Sequence, residues 1–201
     1  DHRDLHSFPT RRSSDLNNIN ELDEIADILV HLRIPSWRLF RIFPAGRAKN
    51  NKQLLLSHCE TRALLDWIAE NRAKYSKRGL ELSYSCEGWL PLSIDVKVRK
   101  QPFFCRAGIN IASILCDGTI TGCTNNSKRF YEGNVLKDSF PYVWQNSFSQ
   151  FRKRTWLGLT DCQECPHIGK CQGSSIHLWR EDEKQPDFCL YAGQLKITEW
   201  L

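Results

Sequence analysis

The sequence predicts an α/β fold followed by a small cysteine-rich domain, and three observations support this prediction. Apolar residues in the first half alternate between helical and strand spacing. That rhythm is lost after about residue 100, where β-rich segments meet at an Asp-Gly pair. Six of the nine cysteines then fall into two uneven groups. These groups are Cys105 with Cys123, and Cys162, Cys165, Cys171 with Cys189.

The first sixteen residues are excluded from the fold prediction. They are rich in Ser, Arg and Asp and match neither helical nor strand periodicity. Residues 6–16 also resemble one translated frame of a common sequencing-adapter oligonucleotide. We interpret residues 1–16 as a non-native scar, with a disordered native tail as the alternative.

The first half, residues 17–100, reads as helix, strand, helix, strand. Apolar residues recur at helical spacing over 19–32, and an aromatic and β-branched strand follows at 37–43. A second helix opens at Ser57, with Glu60 three residues later as a capping box, and stops at Gly79. The next strand is predicted at 80–85. Short links between such elements are typical of a parallel α/β sheet or barrel, whose active-site loops follow the carboxyl ends of the strands.

The second half, residues 101–201, is predicted to be a separate small domain. Segments 110–115 and 119–122 form a β-hairpin, because Asp117-Gly118 supplies the positive φ angles of a tight turn. A helix is expected over 143–156 and no regular element over 158–173. The half therefore has little apolar core, which is typical of a domain that a metal holds together.

Composition restricts the function classes. The 201 residues are 41% hydrophobic, which is enough for a folded protein, and the net charge of +5 is modest. No apolar run long enough for a membrane span occurs, and basic and aromatic residues do not alternate as in nucleic-acid binders. We expect a cytoplasmic protein with neither a membrane span nor a nucleic-acid partner.

Clustered cysteines of this kind could form disulfides, bind zinc or bind an iron–sulfur cluster, and their spacing helps to choose among these. Disulfides suit a small domain, but the first half is typical of an intracellular enzyme. Zinc usually takes two close ligand pairs, and only Cys162 and Cys165 form one. The C-x2-C-x5-C run with a distant fourth thiolate favours an iron–sulfur cubane, whose corners lie farther apart than the ligands of one zinc ion. Zinc remains the alternative.

The pattern resembles the SPASM domain at the C-terminus of many radical S-adenosylmethionine enzymes. Cys105 is followed by twelve residues, Gly118, four residues and Cys123, and then by the C-x2-C-x5-C run and Cys189. Two further segments are found in similar SPASM proteins. They are Phe-Phe-Cys-Arg-Ala-Gly-Ile-Asn-Ile at 103–111 and Cys-Glu-Gly at 86–88. The stretch at 37–48 resembles the fifth strand of the radical-enzyme barrel.

The resemblance implies a fold and a chemistry. Residues 17–100 would be the C-terminal βα units of a partial (β/α)6 barrel, and 101–201 would be the SPASM iron–sulfur domain with a hairpin and short helices. In the intact enzyme a reduced 4Fe–4S cluster cleaves S-adenosylmethionine to a radical that takes hydrogen from a peptide or protein substrate. Auxiliary 4Fe–4S clusters bind substrate or carry electrons, and a flavodoxin or ferredoxin serves as reductant.

The resemblance also assigns site residues, and it fails at two points. Arg38 and Phe43 match positions that border the S-adenosylmethionine pocket. The pattern calls for a cysteine four residues after Cys171, where this chain has Ser175, so Cys86 or Cys116 is the candidate replacement ligand. The C-x3-C-x2-C motif of the catalytic cluster does not occur. We expect it upstream of this chain, which alone would be inactive.

Overall fold

The chain divides into two compact units. The computed structural model describes residues 10–14, 18–43, 48, 50–181 and 184–189. The described residues up to Phe103 form the first unit, and those from Phe104 onward form the second.

The first unit is built on a three-stranded parallel sheet in the order β1-β2-β3. The strands are β1 (Thr10–Ser14), β2 (Ser36–Arg41) and β3 (Glu81–Tyr84). Trp37 pairs with Leu82 and Leu39 with Tyr84, and these four side chains are all buried. The parallel pairing of β2 and β3 agrees with the prediction.

Three helices accompany this sheet: α1 (Leu22–His31), α2 (His58–Ser76) and α3 (Leu92–Val98). The predicted capping box starts α2, since the Ser57 hydroxyl accepts from the Glu60 N–H and the Glu60 carboxylate accepts from the Ser57 N–H. Beyond the helix the chain turns at Gly79, whose φ is +87°. Helix α2 packs against β3 and α3.

Two elements of the first unit were not predicted. Strand β1 lies in the segment excluded as a scar, and α3 lies in a region given no helix. Parallel strands pair through backbone N–H and C=O groups. Strand β1 can therefore pair with β2 without an alternating pattern of apolar side chains, and it covers an edge of β2 that would otherwise be open. The scar interpretation stays a prediction, and residues 1–9 and 15–16 lie outside the described residues.

The second unit contains a small antiparallel sheet. Strand β4 (Ser113–Ile114) pairs with β5 (Thr119–Thr121), and β5 pairs with β6 (Tyr131–Asn134). The turn between β4 and β5 includes Gly118 at φ +84°, as expected for the hairpin. Asp117 accepts the Thr119 N–H at 3.0 Å, which stabilises this turn.

The helices of the second unit are short. They are α4 (Phe140–Asn146), α5 (Ser149–Arg152) and α6 (Ile168–Cys171), with 3-10 turns at Thr155–Leu159 and elsewhere. The helix predicted over 143–156 is confirmed in part: the stretch is divided into α4, α5 and the start of the 3-10 turn, with interruptions at Ser147–Phe148 and at Arg154, whose φ is +49°. The prediction of no regular element over 158–173 is wrong, since α6 forms there.

An aromatic core fills the second unit, against the prediction of little apolar core. Phe130, Phe148, Phe151 and Trp179 are completely buried. The rings of Phe148 and Phe151 lie 5.4 Å apart, and Phe151 lies 5.6 Å from Phe130. These aromatic residues are spread over 130–179 and follow neither helical nor strand spacing. The sequence pattern therefore did not predict the core, although each ring buries a large apolar area.

Candidate metal centre

The segments that carry Cys105 and Cys123 approach each other closely. Cys123 follows β5, and a Cβ built on the preceding Gly122 would lie 2.9 Å from the Gly108 nitrogen. A Cβ on Gly108 would lie 2.3 Å from Phe151. Both cysteines are half-buried against the aromatic core. Glycine at these two positions therefore lets the two cysteine segments lie side by side.

The second group of cysteines is brought together by loops. The Cys165 N–H donates to the Cys162 carbonyl at 3.1 Å, and α6 ends at Cys171. The thiol of Cys162 is close enough to Cys165 and Cys189 for their charges to interact, and Cys171 likewise interacts with Cys162 and Cys189. All four predicted ligands are half-buried, but within the described residues no three of them are arranged to hold a metal ion.

The segment that carries Cys189 is held by polar contacts. The Asp187 N–H donates to the Leu178 carbonyl at 2.7 Å, and Arg180 donates to the Asp187 carboxylate at 2.6 Å. The Asp161 N–H donates to the Lys184 carbonyl at 3.0 Å. These bonds attach the chain just before Cys189 to the loop that begins at Cys162.

The electrostatics of the second group favour neutral thiols unless a positive charge is present. Burial raises the pKa of Cys171 to about 12 and also raises that of Cys162, and the neighbouring cysteines add to both shifts. The backbone at Ser174 and Gly173 opposes this rise in the pKa of Cys171. The Ser174 N–H donates to the Cys171 carbonyl at 2.8 Å. A metal cation that binds here would be coordinated by the cysteines as thiolates. The cysteines would release their protons on binding.

Arg154 links the two groups. Its guanidinium donates to the carbonyls of Cys105 at 3.0 Å and Gln172 at 2.6 Å. Burial lowers the pKa of Arg154, and the neighbouring Cys105 and Cys171 oppose this shift. Arg154 is 6% exposed. Sequence position alone could not distinguish it from the neighbouring Lys153, which is exposed.

The two candidate replacement ligands are exposed. Cys116 lies in the β4–β5 turn, and Cys123 lies beyond the other end of β5, roughly 13 Å from Thr119 at about 3.3 Å per residue. Cys86 follows β3 in the first unit. Ser175, where the family pattern has cysteine, is completely buried. A free cysteine in the first turn of a helix is expected to be a buried thiol, because free cysteine is among the most buried residue types, but Cys59 is exposed.

A buried polar cluster lies at the carboxyl ends of β2 and β3. The Arg41 Nε donates to the Tyr84 hydroxyl and to Glu87 Oε2, each at 3.2 Å, and the Tyr84 hydroxyl donates to the same oxygen at 3.1 Å. Burial raises the pKa of Glu87 to about 7. Sequence reasoning missed this cluster. The signal available was Arg41 at the buried position of a strand that alternates Trp37, Leu39 and Arg41.

A second arginine holds the loop that contains Cys86 and Glu87. Arg99 donates to the carbonyls of Ser85 at 2.7 Å and Gly88 at 3.0 Å. It also pairs with buried Asp95, whose other carboxylate oxygen accepts the Phe103 N–H at 2.6 Å. The loop after β3 is therefore fixed from both sides.

The predicted S-adenosylmethionine residues occupy different positions around β2. Arg38 lies within the strand on its half-buried face, opposite the face of Trp37 and Leu39. Phe43 follows the strand and is half-buried. Residues 44–47, the start of the predicted active-site loop, lie outside the described residues.

Two features are absent from the described residues: an assembled metal site and a membrane-spanning helix. Within the described ranges, no group of three or more His, Cys, Asp or Glu side chains is arranged to hold a metal ion. None of the helices in the described part of the chain is sufficiently long and apolar to cross a membrane.

Residues 105–166 match the family model of the SPASM domain, described as an iron–sulfur cluster-binding domain. The chain therefore carries a SPASM domain, as its cysteine spacing predicted. This result confirms the resemblance on which the sequence interpretation depends. No curated protein sequence matches the chain.

The fold of the chain is similar to solved structures of anSMEcpe. Native anSMEcpe with bound AdoMet and Kp18Cys peptide matches with a TM-score of 0.56 at 12% identity, over 92% of this chain and 52% of that chain. Native anSMEcpe with bound AdoMet matches with a TM-score of 0.55 at 12% identity, over 89% of this chain and 50% of that chain. The chain thus spans about half the length of the structures it matches. The chain is therefore similar in fold to anSMEcpe, and its residues 105–166 match the SPASM domain.

Proposed function

We propose that this chain is the C-terminal part of a radical S-adenosylmethionine enzyme that binds auxiliary 4Fe–4S clusters and acts on a peptide or protein. One observation supports the proposal: residues 105–166 match the model of the SPASM domain, an iron–sulfur cluster-binding domain. The proposed ligands of one cluster are four half-buried cysteines, Cys162, Cys165, Cys171 and Cys189.

The chemistry of this site fits an iron–sulfur cluster. Its donors are all cysteine sulfurs, which are the usual ligands of such clusters. The backbone at Ser174 and Gly173 lowers the pKa of Cys171, which favours the thiolate that would ligate iron. A cluster bound here would carry electrons, and the protein would set its potential through burial and hydrogen bonds.

The Cys105 and Cys123 pair is the proposed start of a second cluster site. The distance along β5 disfavours Cys116 as its further ligand, since Cys116 and Cys123 lie at opposite ends of that strand. Cys86 is a candidate from the family resemblance alone. An iron site that lacks one thiolate would be open to substrate.

The first unit is the proposed end of a (β/α)6 barrel. Its parallel sheet places Arg41, Tyr84 and Glu87 at the carboxyl ends of the strands, where barrel enzymes bind substrate. Arg38 and Phe43 would border S-adenosylmethionine. The catalytic cluster would be held by a C-x3-C-x2-C motif upstream, so we expect the chain alone to be inactive.

The proposed partners follow from the neighbours and the cofactors. One matched structure holds both AdoMet and a peptide, which supports a peptide or protein substrate for the intact enzyme. A flavodoxin or ferredoxin would supply the electron that the catalytic cluster requires. These partners are expected in the cytoplasm.

Anaerobic reconstitution of the full chain tests the proposal. The purified protein is incubated with ferrous iron and sulfide and then desalted, and bound iron and sulfide are measured. We expect about four iron and four sulfide ions for each complete cluster, with visible thiolate-to-iron absorption. Cys171→Ser should lose most of the iron of this site.

Cys59→Ser is the matched control, because Cys59 is an exposed thiol on α2 in the first unit. It should bind as much iron as the unsubstituted chain. Uptake of no iron or sulfide by the unsubstituted chain would overturn the proposal. Stoichiometric zinc after both aerobic and iron-replete anaerobic growth would instead support a zinc-stabilised binding module.

A further inference from the structure

The turn at 106–111 leaves apolar side chains uncovered on the second unit. Its backbone is closed, because the Ile109 N–H donates to the Arg106 carbonyl at 3.1 Å. The Gly108 N–H likewise donates to the Ile111 carbonyl at 2.8 Å. Single exposed apolar residues are common, but several close together indicate a contact surface. The exposed ones here are Ile109 at 38%, Ile111 at 50% and Ile114 at 53%.

Strand β4, which follows this turn, lies at the edge of its sheet. Among the described strands it pairs with β5 alone. Ile114 lies in β4 directly opposite Ile120, which is completely buried. Directly opposite residues of an antiparallel pair project from the same face, so Ile114 continues the apolar face of the sheet at its edge. An edge strand with exposed apolar side chains can accept an extended peptide as a further strand.

The charge around the turn is positive. Segments 104–116 and 139–160 contain four basic residues and no acidic one. Arg106 in the turn and Arg152 in α5 are both exposed. The Arg152 Nε donates to the Gly108 carbonyl at 3.0 Å, which places this guanidinium at the turn. Burial raises the pKa of half-buried Glu132 to about 7 against the Arg152 charge, so near neutral pH this carboxyl group offsets only part of that charge.

We propose that Arg106, Ile109, Ile111, Ile114 and Arg152 form a docking surface for an extended acidic segment of the peptide or protein substrate. The inference rests on the proposed function and deepens it by naming the kind of substrate segment that binds. The segment adds along β4, with its apolar side chains against the isoleucines and its carboxylates near the two guanidinium groups.

An extended polypeptide suits this surface better than a membrane or a nucleic acid does. The edge of a strand presents backbone N–H and C=O groups, and the hydrocarbon of a bilayer cannot satisfy them. The exposed apolar residues are isoleucines, which cannot stack on bases as aromatic rings do. A peptide strand satisfies the backbone groups and covers the apolar side chains together.

Fluorescence anisotropy with the full chain tests the proposal. The probe is a short fluorescein-labelled peptide in which Glu and Val alternate, and it should bind more weakly as salt is raised. Arg106→Gln should weaken binding by about two- to fivefold, as for exposed ion pairs. Ile114→Thr keeps the branched Cβ that suits a strand, and it should weaken binding by about fourfold, the effect of one methylene group removed from water.

Lys137→Gln is the matched control, because Lys137 is an exposed basic residue that follows β6, on the other side of β5 from β4. It should leave binding unchanged. An equal loss in Lys137→Gln and Arg106→Gln overturns the inference. So does equally tight binding of a peptide in which Gln replaces every Glu, or tighter binding of the chain to vesicles of phosphatidylcholine and phosphatidylserine than to the probe.

A second measurement needs no substitution. The same peptide, carrying a photoreactive benzophenone group, is cross-linked to the unsubstituted chain, and mass spectrometry locates the labels. They should fall within 106–114 and beside Arg152, and labels found only elsewhere overturn the inference. A chain that binds iron and sulfide but no peptide rejects the docking surface alone. A chain that binds peptide at this surface but takes up no iron or sulfide rejects the proposed function and supports the surface.

Discussion

Gly122→Ala should destabilise the second unit, because the new methyl group has no space. A Cβ at this position would lie 2.4 Å from Phe151 Cε1 and 2.9 Å from the Gly108 nitrogen. Phe151 is completely buried between Phe130 and Phe148, so its ring cannot move aside without displacing the core. The position does not have a positive φ, and the whole cost is therefore steric.

The expected loss is about 2–3 kcal/mol in the free energy of unfolding, in the upper part of the range for overpacked cores. For a unit of this size that loss corresponds to a fall of about 10–20 °C in Tm. The methyl group would also separate the segments that carry Cys105 and Cys123, so iron bound at that pair should fall.

The assay is urea denaturation of the full chain followed by tryptophan fluorescence, together with iron analysis after reconstitution. Gly158→Ala is the control, because a Cβ there meets nothing within 4 Å, and its effect should stay within about 0.5 kcal/mol. Gly108→Ala adds left-handed strain at φ +67° and should cost more than Gly122→Ala. Equal stability of Gly122→Ala and Gly158→Ala would refute the reasoning.

Three further predictions test other parts of the chain. The folded pKa of Glu87, about 7, exceeds its ordinary value of 4.5, so stability from this group is full below pH 4.5 and is lost as pH rises through 7. This loss, an upper bound of about 3 kcal/mol, should disappear in Glu87→Gln, and identical pH dependence of unfolding in both proteins would contradict it. Asp95→Asn leaves the Arg99 charge buried without its partner and should cost about 3 kcal/mol in urea denaturation. The exposed pair of Arg62 and Asp66 provides the control, since Asp66→Asn should change stability by less than about 1 kcal/mol; comparable losses would reject the argument. Ser175→Cys restores the thiol of the family pattern and should raise bound iron above that of Ser174→Cys, a substitution at the adjacent buried serine; equal iron would argue against this position as a ligand.

The elements that were predicted correctly depend on signals within a few residues. Ser57 and Glu60 are three residues apart, and their capping box forms as expected. Asp117 and Gly118 are adjacent, and the antiparallel pairing on either side of them forms. Such local motifs form through contacts between residues that are close in sequence. They therefore depend little on the tertiary contacts of the rest of the chain.

The elements that were missed or wrong depend on distant contacts. The helical prediction over 143–156 does not foresee Arg154, which leaves the helical region and donates to the carbonyl of Cys105, 49 positions away. The polar cluster of Arg41 and Glu87 joins residues 46 positions apart. A strand pattern marks Arg41 as facing the core but does not say which side chain it meets there.

The sequence by itself predicted a SPASM domain, because ligand spacing is a property of the chain, and residues 105–166 match that family model. Only the tertiary structure decided how the cysteine segments are arranged. Gly108 and Gly122 let the Cys105 and Cys123 segments approach each other, and the buried Arg154 guanidinium donates to the carbonyls of Cys105 and Gln172. Both depend on packing against the aromatic core, and packing is set by the three-dimensional arrangement of residues that are far apart in the chain.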